Sequence, residues 1–404
     1  VAATCAITFP AGTAAASAAD RYASPAGTGD CSANSPCSFA TATTGLSTGD
    51  RVILKPGTYA INSTVNIAGW ELRGESTTNK PLITSTATNL FYMGPTDSAL
   101  TDVRIQQSAP TSGRAIYAYG NSTVSRVEVN SNTTACELRD FPLLRDSLCR
   151  GGTDPMGGGI VIYAGSGVSD ADVRNVTATG GNGLFAGTFN AGVNLNLDVR
   201  NSILRGSVND ILAANNGSVS SLSVGLTSSN YDSIDLASTS ASVTPVNSGT
   251  NQAAAPRFVD EAGGDLRPTV DSPTINAGTA DALNGSTDLD GVAHTTGGNI
   301  DIGAYEYVAP VAPPADTTPP ETTIDKGPKK KSSKRKATFT FSASEARSSF
   351  VCKVDRKAAA PCTSPLKVKR LRPGKHRLTV VATDAAGNAD ATAAIYKWKT
   401  TKKG

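Results

Sequence analysis

The sequence predicts an all-β chain: a parallel β-helix, or solenoid, followed by a small β-sandwich. Three observations carry this. One phrase recurs as Asp102-Val103-Arg104, Arg126-Val127-Glu128, Asp172-Val173-Arg174 and Asp198-Val199-Arg200, with central valines 24, 46 and 26 residues apart. A period in the twenties made of short strands marks a solenoid. The composition, with 39 Gly and only 5% aromatic and 18% charged residues, suits tight turns and stacked strands better than long helices. No window sustains an apolar repeat at helical spacing, and none holds about 18 consecutive apolar residues, so no membrane-spanning helix is expected.

Charge divides the chain. Residues 1–315 carry 16 Lys and Arg against 27 Asp and Glu, whereas residues 316–404 carry 21 against 7. A net −11 followed by a net +14 points to two domains with different surfaces.

The chain opens with small apolar residues over 1–18 that end in Ala16-Ser17-Ala18, an A-x-A cleavage pattern. This reads as a signal-peptide remnant without its charged start, and cleavage after Ala18 would leave six of the seven cysteines. Those six form close pairs, Cys31–Cys37, Cys136–Cys149 and Cys352–Cys362. Such pairs read as loop-closing disulfides of an oxidising, extracellular compartment, with buried free thiols as the alternative. Zinc is disfavoured, because His294 and His376 are the only histidines and neither is near a pair.

Thr48-Gly49-Asp50-Arg51-Val52-Ile53-Leu54-Lys55-Pro56-Gly57-Thr58-Tyr59 reads as turn, buried strand, turn, with a cap over 40–46 to cover the first coil. Val65, Ile67 and Leu72, then Leu100, Val103 and Ile105, then Val124, Val127 and Val129 mark the following strands. Between Asn130 and Gly158 the strand pattern stops. The 46-residue interval is either two periods or one period with an insertion, and it is read as an inserted, disulfide-closed loop near 131–157. Strand phrases return from Ile160 to Val224. Residues 309–320 form a Pro-rich linker, and 321–404 contain short strands around an Asp384-Ala385-Ala386-Gly387-Asn388 turn.

The Cys-x5-Cys, GD-x-V-x-L strand and PGTY turn resemble the opening of secreted bacterial right-handed parallel β-helix proteins. Asp271-Ser272-Pro273-Thr274-Ile275-Asn276-Ala277-Gly278, Asp288-Leu289-Asp290-Gly291 and Asn299-Ile300-Asp301-Ile302-Gly303-Ala304-Tyr305-Glu306 resemble the closing segment of the "choice-of-anchor Q" group, across roughly 20–308. Phe350-x-Cys352, Pro361-Cys362, Pro373-Gly374-Lys375-His376 and the DAAGN turn resemble a bacterial immunoglobulin-like module. These resemblances imply a right-handed, pectin-lyase-like helix in a secreted or surface-attached protein.

Several constellations could bear chemistry. Aligning the central valines puts Asp102, Arg126, Asp172 and Asp198 in one ladder and Arg104, Glu128, Arg174 and Arg200 in another. These are either solvated cross-coil ion pairs or a polar groove for polysaccharide. An arginine base for a lyase belongs to the second reading and would need its pKa pushed far down, or a metal to acidify the substrate proton. Tyr117 and Tyr163, each ten residues before a phrase valine, form an outward aromatic ladder or a shielding stack. Asp170 with Asp172, and Asn209 with Asp210, are the candidate hydrolytic pairs. No histidine precedes His294, which removes the Gly-His-Gly motif of β-helix polygalacturonases. Asp271, Asp288, Asp290 and Asp301 admit either Ca2+ or Asx-turns, and no cofactor motif is present. The run Lys329, Lys330, Lys331, Lys334, Arg335 and Lys336 lacks interleaved aromatics. It favours anionic wall polymers, a membrane surface or acidic glycans over nucleic acid, or is simply a solvated face.

The expected function is a secreted or cell-surface, monomeric, non-catalytic β-helix that binds polysaccharide or envelope polymers, the basic module aiding retention. A polysaccharide lyase or glycoside hydrolase is the alternative, and a structural or adhesive surface protein the third reading.

Overall fold

The computed structural model describes residues 18–402 apart from 110–111, 154–156, 165–166, 189, 191, 216–220, 238–240, 246–249 and 311–313. Residues 1–17, most of the segment read as a signal-peptide remnant, lie outside the described residues. Two compact units form, Val1–Ala309 and Pro310–Gly404. No helix among the described residues is long and apolar enough to cross a membrane.

The first unit is a parallel β-helix whose coils each visit three faces. Face A contains Arg51–Leu54, Glu71–Gly74, Ser98–Thr101, Ser122–Ser125, 143–145, 168–174, Asn194–Arg200 and Ser221–Thr227. Face B contains Thr58–Ala60, Leu82–Ser85, Arg104–Gln107, Glu128–Ser131, 147–150, 176–180 and 203–206. Face C contains Val65–Ile67, Asn89–Met93, Arg114–Tyr119, Thr134–Arg139, Gly158–Ala164, 182–188 and 209–215. Period-2 alternation sends one set of side chains inward, where parallel register stacks like on like. On face A the inner ladder runs Val52, Leu72, Leu100, Val124, Leu144, Val173, Val199 and Leu226, every one fully buried.

This register corrects the reading of 131–157. The segment is no inserted loop: Thr134–Arg139 and Leu143–Arg150 are strands of a complete coil, and the 46-residue interval holds two periods. Leu144 stands in the valine ladder, so the coil lacks the phrase that marks its neighbours. Cys136 follows Ile116 and precedes Ile160 on face C, while Cys149 follows Val129 and precedes Ala178 on face B. Their disulfide therefore crosses the apolar interior, with both residues fully buried. The first two phrases also occupy a different coil position from the last two. Val103 and Val127 stack at the start of face B, whereas Val173 and Val199 lie on face A.

A single helical turn, Phe39–Ala42, sits at the N-terminal end. Ser38 caps it by accepting from Thr41 N, and Ala42 and Cys37 join the first coil's core. At the other end, residues 258–307 run back over faces A and B as a closing segment, packing Leu266, Leu289 and Ala304 around Leu148.

The second unit has two small sheets. One orders Thr322–Lys326, Lys336–Ala343 and Leu366–Lys369; the other orders Lys331–Ser332, Ala394–Thr400, Gly374–Thr383, Ser349–Val354 and Ala360–Cys362. Phe339, Leu378, Val380 and Trp398 fill its core, beside the Cys352–Cys362 disulfide.

Candidate functional site

Face C presents the most ligand-like surface. Its outward column runs Asn66, Tyr92, Tyr117, Glu137 and Val161; the next column runs Tyr119, Arg139 and Tyr163. Parallel register brings Tyr92 and Tyr117 into a stack at 4.9 Å and 16°, with Tyr119 5.6 Å from the first and 5.9 Å from the second. Arg114 lies over the Tyr117 ring at 5.2 Å, and Arg139 lies over Tyr117 at 5.4 Å and Tyr163 at 5.3 Å, distances at which a guanidinium is held by the ring quadrupole. Glu137 Oε1 accepts from Arg114 Nη1 at 2.8 Å and Arg139 Nε at 3.1 Å. Burial pushes the Glu137 carboxyl up, and the two arginines oppose that shift. Tyr92 remains 41% exposed, and an open cavity of about 280 Å³ is lined by Thr64, Asn89, Tyr92, Arg114, Tyr117 and Arg139. Aromatic faces beside two oriented guanidinium forks suit a sugar ring with its apolar C–H face on tyrosine and its oxygens on arginine.

Tyr117 and Tyr163 thus share one surface, but not one ladder. Two coils beyond Tyr117 stands Val161, and Arg139 bridges the two tyrosines. Tyr92, Tyr119, Arg114, Arg139 and Glu137 are residues the sequence reading did not single out. The signal was available: Tyr92 and Tyr117, and Arg114 and Thr134, are paired positions of successive coils.

The Asp/Arg ladder lies elsewhere, and it splits. Asp102, Arg126, Asp146, Asn175, Asn201 and Ser228 each follow face A at the corner into face B. All take left-handed backbone, with φ of 56°, 50°, 50°, 53°, 50° and 46°. Asn and Asp tolerate that conformation best, which accounts for four of the six. Arg126 Nε and Nη2 clamp the Asp102 carboxylate at 2.7 and 2.8 Å.

The later corner residues hold the closing segment. Asn201 exchanges two bonds with the Thr279 backbone, each 2.8 Å. Asn175 Nδ2 donates to Asp301 O at 3.3 Å, and Ser228 Oγ lies 2.8 Å from Thr279 Oγ1. Asp146 Oδ1 is 2.9 Å from His294 Nε2, while His294 Nδ1 is 2.7 Å from Glu306 Oε1. Burial alone would lower the His294 pKa, but the hydrogen bonds of Asp146 and Glu306 outweigh it and raise it to about 9.

Asp172, Arg174, Asp198 and Arg200, read as a candidate groove, form an ion cluster in which only Arg174 is covered; the side chains of Asp172, Asp198 and Arg200 remain 40%, 37% and 35% exposed. Arg174 is 2% exposed; it donates to Asp172 Oδ1 at 3.0 Å, Asp198 Oδ2 at 2.8 Å and Asp281 Oδ2 of the closing segment at 2.8 Å. It is closed to a polymer in solvent. The hydrogen bonds that Arg126 donates to Asp102 and Arg200 donates to Asp198 raise the pKa of the two arginines, which opposes a role as base. The carboxylate pairs are likewise engaged: Asp210 accepts from Arg205 and from the backbone of Gly206 and Asp232, and Asp170 accepts from Asn196. Asp288 and Asp301 each receive backbone N–H groups on both oxygens, from Val292 and Glu306 and from Asn276 and Tyr307, so they tie distant parts of the closing segment together rather than forming Asx-turns. The basic run disperses: Arg335 Nε donates to Leu371 O, Lys330 lies over the Tyr396 ring at 4.0 Å, and Lys331 and Lys336 enter different sheets.

A second concavity, about 380 Å³, opens between face B and the closing segment, lined among others by Lys80, Arg104, Glu128, Arg267, Asp290 and Tyr305. Burial pushes the Lys80 ammonium down and the Tyr305 phenol up.

No protein-family model and no curated protein sequence matches the chain. Among solved structures, the crystal structure of the pectate lyase Pel9A is similar at 16% identity and a TM-score of 0.36, over 71% of this chain and 96% of its own.

Proposed function

We propose that this is an extracellular β-helix protein that binds polysaccharide on face C without cleaving it. The observation that bears the proposal is the Tyr92–Tyr117–Tyr119 cluster with Arg114 and Arg139 laid over its rings. Three disulfides support an oxidising compartment. The closing phrases support a place among surface-associated β-helix proteins of the choice-of-anchor Q type, and the second unit's paired sheets support an immunoglobulin-like module. Binding is tested by affinity electrophoresis of the full chain in polysaccharide-containing gels. Retardation lost in Tyr117→Ala and Arg139→Ala is the expected result, and unchanged retardation in both removes the platform.

One observation favours a second reading, a lyase. Burial pushes the Lys80 pKa down inside the cleft between face B and the closing segment, the direction a lysine base requires, while the carboxylates of Asp290, Asp102 and Glu128 oppose that shift. Incubation with uronate polymers decides between them: ultraviolet-absorbing unsaturated product, abolished in Lys80→Met, would replace binding by catalysis.

A further inference from the structure

The outer face of the five-stranded sheet in the second unit carries a lattice of like charge. Lys375 is paired directly across from Lys399, and Arg377 from Lys397, on antiparallel strands; Lys331 extends the first row on the far side of Lys399. All five are exposed. Among the described residues none has an acidic side chain within salt-bridge distance. One carboxylate, Asp355, lines the same depression, and it is engaged by His376 Nδ1 at 2.7 Å and by the Arg377 backbone at 2.8 Å. Like charges directly opposite one another destabilise a sheet. The fold therefore bears an electrostatic conflict at two adjacent cross-strand positions that an external anion would relieve.

Geometry and neighbours narrow the anion. Strands lie about 4.8 Å apart and alternate residues about 6.8 Å apart along a strand, so the five cations span more than one small headgroup. Lys331, Lys375, Arg377, Lys397 and Lys399 all line an open depression of about 440 Å³, more volume than a monomeric ion fills. Ile395, 47% exposed, and Val351, 40% exposed, continue the same outer face. A chain that offers both repeated charge and apolar ring faces matches this mixture; a bare polyphosphate offers only the charge. We infer that this sheet face is a docking lattice for a linear, carboxylate-bearing polysaccharide, a polyuronate, gripped by Lys331, Lys375, Arg377, Lys397 and Lys399. The polymer's class rests on the polysaccharide reading above; the lattice itself uses none of the platform's residues.

The test uses the full chain in affinity electrophoresis against a polyuronate, its methyl ester and polyphosphate, at about 0.05 M and about 0.5 M salt. The wild type should bind the polyuronate and lose about tenfold on esterification and again at high salt. Lys375→Gln/Arg377→Gln/Lys397→Gln/Lys399→Gln should lose about tenfold while melting no lower than wild type, since it removes opposed charges. Lys375→Arg/Lys397→Arg/Lys399→Arg should retain binding. Wild-type affinity in the Gln variant, with Tyr117→Ala abolishing binding, overturns the lattice and leaves the platform standing. Loss in the Gln variant with none in Tyr117→Ala overturns the platform and leaves the lattice. Equal binding of the methyl ester, or preference for polyphosphate, overturns the polyuronate assignment. A lowered melting temperature of the Gln variant overturns the charge conflict. Concentration-dependent self-association abolished in that variant would show that the face serves a second copy of this chain instead.

Discussion

Arg139 on face C and Arg174 at the edge of face A belong to the same β-helix and sit in similar short phrases, yet their circumstances are opposite. Arg139 lies across two tyrosine rings, 35% exposed, and shares Glu137 with Arg114. Arg174 is enclosed by three carboxylates, one of them delivered by the closing segment. Residue type does not separate the two; what covers them does. A coil ladder is a ligand surface only where no later part of the chain lies over it.

That contrast can be broken in several ways. Arg174→Ala leaves Asp172, Asp198 and Asp281 without their shared buried partner; because Asp172 and Asp198 are 40% and 37% exposed, the expected cost lies below that of a fully buried pair, about 2–4 kcal/mol. Denaturant unfolding should show this destabilisation with polysaccharide binding per folded molecule unchanged; a loss below about 1 kcal/mol would mean the cluster is solvated after all. Cys136→Ala/Cys149→Ala opens a 13-residue closure through the coil interior and should cost about 3 kcal/mol, measured the same way. Asn201→Ala removes both bonds to Thr279 and leaves alanine in left-handed backbone, for an expected loss of about 2–3 kcal/mol and faster proteolysis within 258–307.

The pH dependence of the closing segment follows from His294. Its pKa of about 9 lies above the ordinary 6.5, so the protonated imidazolium stabilises the folded state fully below about pH 6.5 and loses that contribution as pH rises through about 9. Thermal melts should fall over that alkaline window, and His294→Gln should flatten the fall. Burial raises the pKa of Asp288, Asp301 and Glu306, so their protonation on mild acidification favours the folded state and the closing segment should not release there. Smallest in stability is Arg139→Ala, expected within about 1 kcal/mol of wild type because Arg139 is itself 35% exposed and Arg114 still pairs the buried Glu137, yet it should weaken polysaccharide retardation the most among single substitutions on face C. A large stability loss there would make the platform a structural element like Arg174.

The helix was legible because stacking imposes its period on the sequence. Val124, Val173 and Val199 all fall in the fully buried face A ladder. The coil of 134–150 was not legible, because Leu144 and two cysteines replace the valine phrase and its isoleucine neighbours. Parallel stacking asks only for an apolar group of suitable volume at each rung, and a disulfide meets that demand. The ladder assignment slipped by three residues for a related reason. A charged-valine-charged triplet serves equally at the end of face A and at the corner into face B, and nothing local distinguishes the two positions. The fate of Arg174 was not legible, since it depends on Asp281, which lies more than a hundred residues later in the chain.

The closing segment has a mechanical consequence. In a bare solenoid each coil touches only its neighbours, and stability propagates rung by rung, so an end can fray without consulting the middle. Here one strap is bonded to four consecutive corners, Asp146, Asn175, Asn201 and Ser228. Those coils cannot separate singly without breaking bonds that also hold the others. The strap turns a one-dimensional stack into a body that should open, over this stretch, as a single cooperative unit.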